Sequence, residues 1–178
     1  NINIIILGVS RNWTRIKTSN KVYVYTDDTL KLIKKLKKKC DILIVTIHWG
    51  TEYKFNNNDY QKDWANKMIE NGCDIIIGHH PHVLQNMDTI KFKNRTGYIF
   101  YSLGNFVLDD PHNHKGVRDT MILKILINKK TKQISFKYLP CIIYPKLGFI
   151  PKPSNKIFQT KFPDFYTDKA QKLDKFVK

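Results

Sequence analysis

Arginine is scarce in a chain with a formal charge of +16. Among 31 basic residues only Arg11, Arg15, Arg95 and Arg118 are arginine, and the rest are lysine. Bidentate recognition of phosphates or bases favours arginine, so the excess reads as a solvated lysine surface. No zinc-finger or RNP motif and no basic stripe with interleaved aromatics is present, which leaves a nucleic-acid partner without support. Cysteine is equally sparse. Cys40, Cys73 and Cys141 are odd in number and far apart, which excludes a disulfide framework and a cysteine metal site and reads as core thiols. No apolar run approaches the roughly 18 residues that cross a bilayer. Residues 4–7 are too short for a signal-peptide core and follow no basic segment. The chain also lacks a starting methionine and opens at Asn1 in strand-like sequence. It reads as a piece of something longer, so the missing leader says little about where the parent protein lives.

Length and composition are those of a folded protein. The 178 residues, 42% of them hydrophobic, suffice for one domain with a real core. Residues 2–9 read as a buried strand, and residues 22–25 as a short strand or extended loop. Thr26-Asp27-Asp28 offers a helix cap with acidic groups at the positive end. Leu30, Ile33 and Leu36 follow at helical spacing, and the lysines of 34–39 form an exposed face towards the C-terminal end. Residues 41–47 form an uninterrupted apolar run, as in a strand covered on both faces. Asn58 and Gln61 form a capping box ahead of the stripe Tyr60, Trp64, Met68 and Ile69, and Gly72 suits the stop. Further strands are expected at 74–77 and 98–102, and a hairpin at 121–127 and 134–138 across Asn128-Lys129-Lys130-Thr131. Residues 1–150 form one domain piece. Residues 151–178, with Pro151, Pro153 and Pro163, read as a peripheral arm with a short helix at 168–177.

This alternation predicts an α/β sheet that is parallel at least in part, with its site at the carboxyl ends of the strands. Four of the six histidines fall there. His48 ends one apolar run, and His79, His80 and His82 follow another in Gly78-His79-His80-Pro81-His82. Neutral imidazole is the commonest protein ligand for transition metals. A metal held by His48, His80 and His82 needs carboxylate or amide oxygens besides. Two metals roughly 3.5–4 Å apart can activate a water and clamp a phosphoryl group. His79 is left to protonate a leaving group or orient an anionic substrate. His112 and His114 lie in a polar loop and read as exposed loop residues.

These motifs resemble the bacterial capsule synthesis protein CapA family (the PgsA type), linked to poly-γ-glutamate capsule production. That family is similar to calcineurin-like metallophosphoesterases. The matching segments are Ile47-His48-Trp49-Gly50-Thr51-Glu52-Tyr53, Gln61 and Ala65, the run from Asn71 through Gly78-His79-His80-Pro81-His82 to Gln85, and Tyr101-Ser102-Leu103-Gly104-Asn105-Phe106. The match runs from about residue 1 to about residue 144.

The resemblance implies a metallophosphatase-like α/β/β/α sandwich. His48, His80 and His82 are its late metal ligands, binding divalent Mn, Zn or Fe. Glu52 and His79 are candidate catalytic groups. Trp49 lies beside the pocket, and Asn105 lines it or fixes its loop. The family's Gly-Asp and Asn-Asn-His segments, which supply aspartate and asparagine ligands, have no counterpart before His48. The chain therefore resembles the C-terminal half of the family domain.

The expected function is metal-dependent hydrolysis of a phosphoester or anionic polymer in the cell envelope, once the other half is present. Other capsule-synthesis proteins are the implied partners. The alternative is a non-catalytic polymer-binding or assembly component.

Overall fold

The computed structural model describes residues 1–11, 23–108 and 114–154, with Tyr23 as backbone only. The expected helix at 168–177 and His112 lie outside the described residues. A six-stranded sheet runs in the order β2-β1-β3-β4-β6-β5. Its strands are β1 (Ile4–Ser10), β2 (Tyr23–Val24), β3 (Ile42–His48), β4 (Ile75–His79), β5 (Met87–Phe92) and β6 (Arg95–Phe100). β2, β1, β3, β4 and β6 are parallel neighbours, and β5 closes the edge antiparallel to β6. A second, antiparallel sheet comprises β7 (Asp119–Ile127), β8 (Ile134–Tyr144) and β9 (Ile150–Pro153). β9 straddles the expected start of the C-terminal arm, so residues 151–153 belong to this sheet.

Two helices cover one face of the large sheet. α1 (Asp27–Lys37) begins where the Thr29 hydroxyl accepts the Thr26 N–H and donates to the Val24 carbonyl. α2 (Asp59–Glu70) begins at Asn58, which exchanges reciprocal bonds of 3.1 Å with Gln61. Two of the otherwise unpaired donors at the helix start are thereby satisfied. Ile33, Met68 and Ile69 pack from the helices onto Leu43, Val45, Ile47 and Ile76. The alternate residues Ile42, Ile44, Ile75 and Phe100 face the second sheet, against Leu123, Ile125, Phe136 and Tyr138. The run Ile42–Val45 of β3 is thus uninterruptedly apolar because both its faces are covered.

The layers are helix, sheet, sheet. Among the described residues no helix covers the outer face of the second sheet. This is an incomplete metallophosphatase-like α/β domain.

Asp74 fastens the layers at the amino ends of the strands. Its carboxylate accepts the Leu43 N–H at 2.7 Å, Lys37 Nζ at 2.6 Å and Arg95 Nη1 at 3.3 Å. Arg95 also donates to the carbonyl of Ile69 on α2. The far ends of the same strands carry the histidines. Cys73 and Cys141 are buried and Cys40 is half-buried, all as free thiols.

Candidate metal centre

Parallel pairing brings the histidines together. His48 and His79 are register partners at the carboxyl ends of β3 and β4. Beyond them the chains stay bonded: the Trp49 N–H donates to the His79 carbonyl at 3.0 Å and the Tyr53 N–H to the Pro81 carbonyl at 2.8 Å. The two exit loops therefore form one rim. The His48 and His80 rings lie 4.5 Å apart between centroids, and those of His80 and His82 lie 6.1 Å apart.

Ligand atoms of Glu52, His80 and His82 all lie within 4.8 Å of one another. His48 stands beside this group through its ring contact with His80. Glu52, expected among the catalytic groups, falls in this possible metal-binding group. His79 sits at the end of β4 with an exposed side chain.

The other two expected pocket residues lie beneath the rim. Trp49 is fully buried; its indole N–H donates to the Tyr101 carbonyl at 2.9 Å and its ring stacks on Tyr101. It continues the inward alternation of Leu43, Val45 and Ile47, so it supports the floor. Asn105 fixes the loop. Its Nδ2 donates to the carbonyls of His82 and Val117 at 3.2 and 3.1 Å, which aims its Oδ1 at His82 Nδ1, 2.8 Å away. An amide oxygen only accepts, so Nδ1 carries the proton, and in the neutral ring this tautomer leaves the Nε2 lone pair for a metal.

Two features of this rim are not signalled by residue spacing. His80, His82 and Tyr53 all hold positive φ angles, of 102°, 60° and 61°. Such backbone costs roughly 1–3 kcal/mol per residue and gathers at functional sites. In addition, Tyr53 stacks on His114 at 3.9 Å and faces His82 at 5.9 Å. The loop histidine set aside in the sequence is thereby joined to the site.

A buried amide relay holds the Glu52 loop. Gln61 Nε2 donates to Gln85 Oε1 at 3.0 Å, and Gln85 Nε2 donates to the carbonyls of Lys54 and Asn56. Both glutamines are buried, and their place in the matching motifs is explained by this clamp.

Burial favours the neutral form of three of these imidazoles. Desolvation, then His82, pushes His48 below its ordinary pKa, against the pull of Glu52. Desolvation, then His48, lowers His80, with Glu52 opposing and His82 and Arg11 adding to the shift. Desolvation, then His48, lowers His79 as well. Neutral imidazole is the ligating form. Imidazole nitrogen with a carboxylate suits Zn, Mn or Fe. Together with the fixed tautomer of His82, this donor set fits a divalent metal.

Fold and site together define a partial metallophosphatase-type domain with a possible metal-binding group at its sheet rim. The family described as bacterial capsule synthesis protein PGA_cap matches residues 7–110, more than half of the chain, and the chain belongs to that family. It is 43% identical over 100 residues to the PGA biosynthesis protein CapA of Bacillus subtilis (strain 168), covering 56% of this chain and 25% of that protein. It is 49% identical over 87 residues to the capsule biosynthesis protein CapA of Bacillus anthracis, covering 47% of this chain and 20% of that protein. The chain thus spans about a quarter or less of the length of these relatives. Among the described residues no helix is long and apolar enough to cross a membrane.

Proposed function

We propose that this chain supplies half of a metal-dependent hydrolase site acting on a phosphoester or an anionic polymer, poly-γ-glutamate among them, in capsule production at the cell envelope. The observation that carries the reading is the convergence of Glu52, His80 and His82 within 4.8 Å, with His82 Nε2 left free by Asn105. Glu52, His80 and His82 would hold the metal, and the His48 ring lies beside His80 at the same rim. When bound, the metal supplies Lewis acidity towards the substrate oxyanion and lowers the pKa of water. The chain's own residues do the rest. Asn105 orients His82, the Gln61–Gln85 relay holds the Glu52 loop, and His79 can accept a proton as its neutral imidazole and, once protonated, pass it to the leaving group. Other capsule-synthesis proteins are the partners this reading implies.

Metal content of the chain loaded with Mn²⁺ tests the proposal. His80→Ala and His82→Ala should each remove most of the bound ion, and content unchanged by both would overturn the ligand assignment. The second reading, a non-catalytic assembly component, draws on Glu52 being the single carboxylate of the group. It gains if the longer protein binds metal yet turns over neither phosphoesters nor polyglutamate.

A further inference from the structure

Arg11 leaves the carboxyl end of β1, and its N–H donates to the His48 carbonyl at 2.9 Å. That bond places it one strand from His48 on the rim that carries the histidines. Its side chain is exposed yet fixed. Nη1 donates to the Tyr60 hydroxyl at 3.1 Å, and the guanidinium carbon lies 4.5 Å from the Tyr60 ring centroid. Tyr60 in turn meets Trp64 edge-on, and Trp64 stacks on Tyr25 at 3.9 Å. This aromatic platform fixes a side chain that would otherwise retain its rotamer freedom.

Among the described residues Arg11 forms no ion pair. Only one of its five N–H donors goes to Tyr60. A fixed cation beside metal ligands weakens the binding of a second cation, and an anion bound between the two offsets that repulsion.

We propose that Arg11 is a substrate-binding residue of the same site, whose guanidinium takes an oxyanion of the substrate, a phosphate or a carboxylate, beside the metal. The inference deepens the metal-centre reading and rests on it. Fixing the fork on Tyr60 pre-organises it for two parallel hydrogen bonds, which a lysine cannot reproduce. Arginine is otherwise rare in this lysine-rich chain, which sets the position apart from the general basic surface.

The test uses the whole chain with Mn²⁺ and measures binding of inorganic phosphate, and separately of a short γ-linked glutamate oligomer, by equilibrium dialysis. Arg11→Gln should weaken the ligand that belongs to the site by roughly ten- to a hundredfold while Mn²⁺ content stays as in the parent chain. Arg11→Lys should lie between, because it keeps the charge and loses the fork. Tyr60→Phe should weaken binding by less than Arg11→Gln. The arm that responds, phosphate or carboxylate, names the oxyanion. Unchanged affinity for both probes in Arg11→Gln, with Mn²⁺ still bound, overturns the inference and leaves the metal centre standing. A parent chain that takes up no Mn²⁺ overturns both.

Discussion

Asn105 sets the protonation tautomer of His82 through three hydrogen bonds, so its effect on metal binding is separable from its effect on folding. Asn105→Ala should lower metal affinity about 10- to 100-fold while leaving the thermal transition of the metal-free protein within a few degrees. Calorimetric titration with Mn²⁺ and a melting curve check the two halves of that expectation. His80 tests the strain at φ 102°. Without metal, His80→Gly should be more stable than His80→Ala by about 1 kcal/mol, and equal stabilities would show that the backbone there is unstrained. At this scale the sequence reveals His80 and His82 through their density at a strand exit. The inward place of Trp49 follows by extending the period-two pattern of β3. The partnership of Tyr53 with His114 is invisible because it joins loops about 60 residues apart through ring stacking, which leaves no periodic trace.

Elements hold the rim by a small number of bonds that cross between them. Gly78 of β4 admits no side chain, since a Cβ there would overlap the Tyr101 carbonyl oxygen and the Trp49 indole nitrogen. Gly78→Ala should therefore cost about 1–3 kcal/mol and break the Trp49–Tyr101 bond, visible as altered tryptophan fluorescence. Asp74→Ala strands the cations of Lys37 and Arg95 and the Leu43 N–H, and should cost about 2–3 kcal/mol in denaturant unfolding. The buried parallel strands and both helices are legible because their runs are long, apolar and capped. β5 is not. Met87–Phe92 carries Asp88 and Lys91, alternates weakly, and turns into β6 through Lys93-Asn94 with Lys93 at φ 53° and no glycine to signal it. For the same reason β6 begins at Arg95, three residues before the strand that its apolar content predicts.

For the molecule as a whole, the lowered imidazole pKa values set a pH dependence. Folding depresses His48, His79 and His80 below the unfolded value near 6.5. Over the window between the folded and unfolded values the unfolded chain therefore binds more protons, and stability rises with pH. Metal-free protein should lose stability as pH falls below the unfolded value of about 6.5. The double variant His48→Gln, His80→Gln should show a shallower slope in the same melting series, and an identical slope would remove these imidazoles from the account. Metal affinity should weaken over the same range, because protons compete for the ligand nitrogens.

The most direct test of the shared metal is X-ray absorption on the chain loaded with Zn²⁺. The account predicts nitrogen scattering at about 2.0–2.1 Å with the outer-shell signature of imidazole, from two or more rings. His80→Ala and His82→Ala should each remove one ring. A spectrum without imidazole scattering, or one that neither substitution changes, would contradict the metal centre.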